Sequence, residues 1–411
     1  MVDDGAQLPA WVGKRWHDED WDAVFEKRSG ASHYFARQGL IRKDRLAEHV
    51  PHDSHPQTRT WQTFSELQSS LQELIADVSD GAGHKMLAER RSGQRADSVE
   101  FVLKKAHSSN ASGMRFLTLL EAESLVHSGL TVSRRRLMNV GLGSAVAAGA
   151  LAGFIWLSLL VTAKAASERS KRLATGLVAN IALCFIVAQG PARGRREREA
   201  AHARAVEAAQ ACFAAEADNS KPATWLAQRY IQPHLYKGRK FHLRALLLCV
   251  GSLRAYLHED VRMLIATRSF QDNKSDSSCF AAHVTNMGMN RTCPGYSEAS
   301  QNQNLGALGD DSESQIFDSM VQVLSSTLVS VLAVGRRHFF VLDNCWELFG
   351  VDFLVEAATD KVVLLEINPS PSLAMYGDSN IVQQTYIGMD PLREVPAGWH
   401  EVPLETLSPA W

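Results

Sequence analysis

An α+β fold is what the 411-residue sequence predicts, and three observations predict it. From about residue 223 onward β-like runs dominate: "TWLAQRYI", "KFHLRALLLCVGSLRAYLHEDVRMLI", "FGVDFLVEA" and "KVVLLEI". Between them, "SQIFDSMVQVLSSTLVSVLAV" (314–334) carries apolar residues at helical spacing. Ahead of both, residues 1–75 read as a small mixed α/β unit. Strands alternating with helices make this α+β or α/β, and α+β is the expectation.

Composition narrows the function classes. With 45% hydrophobic and 21% charged residues the chain is globular, and a formal charge of −2 gives no global reason to expect nucleic acid. Six scattered cysteines (Cys184, Cys212, Cys249, Cys279, Cys293, Cys345) form no C-x-x-C pair, which argues against a zinc site or a disulfide framework. The start "MVDDGAQLPAWVGKRW" lacks the apolar core of a signal peptide. A cytoplasmic enzyme is the expectation.

In chain order, "HYFARQGLIRKDRLAEHV" (33–50) reads as a strand-like start and then one helix, with Arg42, Lys43 and Arg45 on a basic side. "TFSELQSSLQELIADV" is helical, and an Arg-rich linker follows it to residue 98. "VEFVLKKA" (99–106) is a strand ending in lysines, and "HSSNASG" a loop. The segments are therefore 1–98 (N-terminal unit and linker), 99–131 (first part of the main domain), 132–210 (insertion), 211–385 (main domain) and 386–411 (tail).

The 132–210 insertion is apolar and helical, flanked by basic residues. "LMNVGLGSAVAAGALAGFIWLSLLVTA" (137–163) is uncharged and long enough to span a bilayer, and "LATGLVANIALCFIVAQGPA" (173–192) is a shorter candidate. Against a hairpin over 137–192 stands the charge: Arg134 to Arg136, the 164–172 turn and Arg193 to Arg196 are all basic, where only one side should be. Val132-Ser133 and the run ending at Gln189 can also be encoded as intron boundaries. A translated intron over 132–189, a membrane hairpin and a folded insertion all remain open.

The chemistry-bearing pattern lies near the C-terminal end of the β-rich part. In "FGVDFLVEAATDKVVLLEIN" two β-like runs flank the turn "ATDK". A turn centred on Thr359 puts Asp352 opposite Glu366, each seven residues away. Asn368 shares a face with Glu366, because residues i and i+2 of a strand point the same way. Two acids and an amide are hard oxygen donors of the kind Mg²⁺ takes beside phosphates. An ordinary hairpin with solvent-facing acids is the other reading. In "GRKFHLRALLLC", Lys240, His242 and Arg244 share one strand face and suit phosphate oxygens. Taken alone, they also fit a solvated face. Lys104 ends its strand ahead of a loop of small residues, a natural phosphate contact. "AAHVTNMGMN" adds His283, read as structural, with Thr285 and Asn286.

The order of "FVLKKAHSSNASGM", "WLAQRYI", "GRKFHLRALLL", "HVTNMGMN", "WELFGVDFLV" and "LLEINPSPSL" resembles that of the tubulin–tyrosine-ligase-like family of ATP-grasp ligases, over roughly 30–130 and 222–380. "GLIRKDRLAEHV" resembles the family's N-terminal segment. The resemblance implies an ATP-grasp-like fold and roles residue by residue. Lys104 would contact nucleotide phosphates. Gln228, Arg229, Tyr230 and Ile231 would lie at the adenine. Lys240 and Arg244, with His242 between them, would bind ATP and the acyl phosphate, and Thr285 and Asn286 would line the active site. Asp352, Glu366 and Asn368 would hold Mg²⁺, and Arg42 and Lys43 would hold an acidic protein substrate.

The implied reaction joins a free amino acid (tyrosine, glutamate or glycine) to a carboxylate through an acyl phosphate. Its implied acceptor is the tubulin tail, and its place the cytoplasm or cytoskeleton. Two departures, His242 at a family aspartate and the 132–210 insertion, point instead to an inactive pseudo-ligase that scaffolds tubulin or another partner, membrane-anchored if the hairpin is real. A third departure is the glycine-poor loop after Lys104.

Overall fold

The structure, a computed structural model, describes residues 14–80, 98–108, 113–127, 196–212, 223–273, 276–334, 337–377 and 390–404. The chain divides into two compact units, Met1–Thr118 with Ala215–Trp411, and Leu119–Ala214. Helices and antiparallel sheets build the first unit, the α+β arrangement the sequence predicts.

Its smaller sheet has four strands, β1 (Thr58–Trp61), β2 (Val99–Lys105), β3 (Arg115–Thr118) and β4 (Trp225–Arg229), in the order β1-β4-β2-β3. The larger sheet has eight: β5 (Leu235–Tyr236), β6 (Arg239–Val250), β7 (Arg254–His258), β8 (Arg262–Ile265), β9 (Asn302–Asn304), β10 (Trp346–Val355), β11 (Val362–Pro369) and β12 (Trp399–Glu401). Its main order is β11-β10-β6-β7-β12, with β5 and β8 on β6 and β9 on β8. At twelve residues, β6 is long enough to carry β8 near its start and β7 near its end while β10 runs along the other edge.

The alternation in β6 decides which face does what. Phe241, Leu243, Ala245, Leu247 and Cys249 enter the main core, so Lys240, His242 and Arg244 point the other way. Helix Asp310–Val334 covers the core face with Met320, Leu324, Leu328 and Val331, spaced at i, i+4, i+8 and i+11. Asp310, Asp311 and Glu313 stand in its first turn, where the helix dipole favours acids. By length and composition Asp310–Ala333 could cross a membrane, yet its apolar stripe packs on the sheet.

Two local expectations are corrected. Residues 33–37 form no strand, only the bridge Ala36↔Phe340. The single helix is two short ones, Gln38–Ile41 and Lys43–His49, with Arg42 extended between them (φ −89, ψ 122). The long-range bond Gly39 N–H to His338 O (2.7 Å) holds the first of these in place. The basic side is not shared either: Arg42 pairs with Asp44 at 2.7 Å and Arg45 with Glu48 at 2.8 Å.

In the second unit the described parts are helix Leu119–His127 and a helix over 196–212, joined by Arg204 Nε to Glu121 Oε1 at 2.7 Å. The proposed bilayer spans 137–163 and 173–192, and the proposed intron 132–189, lie outside the described residues.

Gly350 on β10 lies under Pro371, and a Cβ there would meet Pro371 Cβ at 2.9 Å and Arg244 Cδ at 3.5 Å. Gly350→Val is therefore expected to destabilise the fold by about 1–3 kcal/mol through overpacking. Urea denaturation checks this, and an unchanged midpoint would show that the proline segment yields freely.

Candidate active site

Two sheets and two connecting segments line one cleft, open to solvent. Val102 and Lys104 project from β2, and Gln228 and Arg229 with the following Tyr230 and Ile231 come from the end of β4. Lys240 and His242 project from β6, Asp352 and Leu354 from β10, and Leu365 and Glu366 from β11. Segment 283–286 and Lys43 complete the wall. One end is apolar, with Val102, Phe116, Tyr230 and Val284 packed together. The other end is charged.

The register places Asp352 opposite Glu366, as the symmetric turn predicts, but for a reason the sequence hides. Inside the hairpin the pairs run Val355↔Val362 and Phe353↔Leu364, a register that alone would set Asp352 against Leu365. A bulge between Asp352 and Phe353 shifts the pairing by one. Val362 and Leu364 face the core, as does Ile367, so Leu365 and Glu366 both turn into the cleft. Without the extra residue Glu366 would share the face of Leu364 and be buried in the core.

The same row continues across β6, where Arg244 stands directly opposite Asp352. Its guanidinium grips both carboxylate oxygens, Nη2 to Oδ2 at 2.8 Å and Nε to Oδ1 at still closer range. Burial by itself raises the Asp352 carboxyl, but Arg244 and His242 outweigh it and hold it well below the usual carboxylate range. Glu366 pairs with Lys43 at 3.1 Å, and Lys43 also donates to Ser108 O at 2.6 Å. Asn368 Nδ2 bridges the acids, 3.2 Å from Asp352 Oδ2 and 3.1 Å from Glu366 Oε1. The positive charge that a buried Asp352 requires is thus an arginine on the neighbouring strand.

The lysines are set differently. Lys104 is buried; burial, with Lys43 nearby, lowers its ammonium to about 8 despite Glu366. Lys240 is pushed down to about 7 by burial and by Lys104. Its Nζ donates to Tyr230 Oη at 2.9 Å and lies 4.4 Å from that ring's centre. Tyr230 Oη also meets His283 Nδ1 at 3.1 Å, and burial and Lys240 lower His283 to about 4. Two lysines whose ammonium charges are disfavoured by burial and by neighbouring lysines would be stabilised in their charged forms by an incoming anion.

The cleft gathers Lys43, Lys104, Gln228, Arg229, Tyr230, Ile231, Lys240, His242, Thr285, Asn286, Asp352 and Glu366, all candidates from the sequence. Three candidates stand elsewhere. Arg244 lies behind Asp352, held by it; Asn368 lies behind the two acids; Arg42 is bonded to Asp44 through both Nε and Nη2. Asn286 lines the cleft but also caps the next helix, accepting from Met289 N–H at 3.2 Å. His283, read from sequence as structural, lines the cleft through its tie to Tyr230. Its signal was there: it lies two residues before Thr285. Leu365 and Phe116 carried no such signal, since apolar residues on strands look alike whether they face a core or a ligand.

Asp352 and Glu366 offer carboxylate oxygens of the kind a hard divalent cation takes, while Asn368 turns its amide N–H, a donor, toward both of them.

Residues 187–387 match the family model described as the tubulin-tyrosine ligase family. A probable tubulin–tyrosine ligase of Schizosaccharomyces pombe is 30% identical over 167 residues, 39% of this chain and 40% of the relative. A tubulin polyglutamylase of Caenorhabditis elegans is 31% identical over 172 residues, 36% of this chain and 23% of the relative. The chain thus spans less than half the length of these curated relatives. The solved C-terminal domain of K. lactis Pby1, an ATP-grasp enzyme interacting with the mRNA decapping enzyme Dcp2, is similar with TM-score 0.49 and 16% identity, covering 97% of this chain and 90% of that one.

Proposed function

We propose, from the match of residues 187–387 to the tubulin-tyrosine ligase family model, that this protein is an ATP-dependent carboxylate–amine ligase working in the cleft between its two sheets. One observation carries the reading: two buried lysines from different sheets, Lys104 and Lys240, face the cross-strand acids Asp352 and Glu366 across one cleft. Lysine pair and acid pair together suit a nucleotide triphosphate, whose charge needs both lysines and a divalent ion.

Lys104 and Lys240 take the phosphates, and the apolar end beside Gln228, Arg229, Tyr230 and Ile231 takes the base. Arg244 keeps Asp352 ionised and oriented, and Asn368 keeps the two carboxylates together. Asp352, Glu366 and Asn368 would hold Mg²⁺, which would neutralise part of the phosphate charge. The acceptor's carboxylate takes the γ-phosphoryl group and releases ADP. The amino acid's amine then attacks the acyl carbon, phosphate leaves with the C–O bond, and the amine gives up its proton. Thr285 and Asn286 line that position.

The relatives' names support an acidic tubulin tail as acceptor and tyrosine, glutamate or glycine as the added residue, with a cytoplasmic or cytoskeletal location. Lys43, paired with Glu366 at 3.1 Å, is the cation this reading assigns to the acidic chain. The test incubates the full chain with Mg²⁺-ATP, tubulin and each labelled amino acid in turn. ADP release that depends on both tubulin and one amino acid is the expected result. ATP binding without transfer to any acceptor would make it a pseudo-ligase, and no ATP binding would end the reading.

A further inference from the structure

A one-way chain of hydrogen bonds ends on Lys240. It starts at a backbone carbonyl, Asp276 O, which lies 3.1 Å from His283 Nε2. A carbonyl only accepts, so Nε2 carries the ring proton and Nδ1 is left as an acceptor. A second ring proton is disfavoured, because burial and Lys240 hold His283 down at about 4. The Tyr230 hydroxyl, 3.1 Å from Nδ1, therefore donates to it. That turns the lone pairs of Tyr230 Oη toward Lys240 Nζ, 2.9 Å away. Phe116 and Phe270 wall the His283 ring at 5.0 and 5.5 Å between centres, which restrains the imidazole.

We propose that His283 is a positioning residue for Lys240: by claiming the Tyr230 proton, it keeps a hydroxyl oxygen turned toward the ammonium that meets the phosphates. The proposal rests on the nucleotide reading above. Without the imidazole acceptor, the hydroxyl is free to turn its proton onto the lone pair of the lysine. That would stabilise the neutral amine, a form that cannot pair with phosphate. The groups around Lys240 make the bias matter. Burial and then Lys104 of β2 push its ammonium down, while burial keeps the Tyr230 hydroxyl neutral. Asp352 and Glu366 are answered by Arg244 and Lys43, His242 is engaged with Thr285, and Asp276 faces His283. Among the described residues, the acceptor turned to the Lys240 ammonium is thus the Tyr230 oxygen.

Calorimetric titration of the full chain with Mg²⁺-ATP at pH 6 and pH 8 tests this with H283L, H283N and Y230F. In H283L, affinity is expected to fall about tenfold at pH 8 but only about twofold at pH 6, where the lysine is mostly charged in any case. H283N puts an amide oxygen near the place of Nδ1 and should follow wild type. Y230F removes the oxygen itself and should also lose more at pH 8 than at pH 6. The double variant Y230F/H283L should bind as Y230F does, since His283 acts only through the hydroxyl. Losses in H283L equal at the two pH values, further loss in the double variant, or H283N as weak as H283L would make His283 a packing residue. Each would overturn the proposal while leaving the nucleotide reading standing. Should H283L fail to fold, Y230F decides alone, and a pH 8 affinity equal to wild type would overturn the proposal. Absence of ATP binding by wild type at both pH values would overturn both.

Discussion

Asp352→Asn is expected to lower stability by about 3–5 kcal/mol, because it leaves the Arg244 guanidinium buried against a neutral amide. Glu366→Gln, its cross-strand partner, is expected to change stability by less than about 1 kcal/mol, since that side chain is 28% exposed and its pair with Lys43 is partly solvated. Yet both should abolish Mg²⁺-dependent ligation, because each removes one of the two carboxylates. Urea unfolding beside an ADP-release assay separates the effects. The sign of the pH dependence follows from the lowered Asp352 carboxyl. Its contribution is complete above the unfolded value, about 4, and is lost as pH falls through the lower folded value. The wild-type advantage over Asp352→Asn should therefore shrink only below about pH 4. Equal stability of the two proteins at pH 7 would mean that Arg244 finds another partner, and the account of the row would be wrong.

ATP binding at pH 8 should draw protons from solution. Lys240, at about 7, and Lys104, at about 8, are then mostly and half deprotonated in the empty cleft. Polyphosphate favours their charged forms, so binding should take up about one to one and a half protons at pH 8 and almost none at pH 6. Affinity should fall as pH rises through the same range. Calorimetry in buffers of different ionisation enthalpy reads the uptake directly, and a null result at pH 8 would mean that the lysines do not meet the phosphates. Linkage gives the opposite trend for the empty protein. Both lysines have folded values below the unfolded one, so the unfolded chain binds more protons between pH 7 and 10. Stability should rise with pH across that window.

Much of the site was legible because strand chemistry has a period of two. Lys240, His242 and Arg244 had to share a face, as did Glu366 and Asn368, whatever the fold around them. The pairing of Asp352 with Glu366 was also readable from a symmetric turn, although a bulge beside Phe353 is what makes it true. The N-terminal helices were less legible. The periodicity of 38–49 is continuous, yet the helix stops at an extended Arg42 and Gly39 is bonded to the distant His338 O, a tertiary contact no local pattern encodes.

From its sequence alone this protein was determined to be α+β, with basic and acidic sets on strand faces that suit a nucleotide. Tertiary structure alone decided which cations answer which acids: Arg244 withdrawn behind Asp352, Lys43 brought to Glu366, and Lys104 and Lys240 left for a ligand. Periodicity assigns a side chain to a face, but a charge acquires its partner only across strands. That choice rests on register and on the low dielectric of the closed cleft, neither of which local sequence encodes.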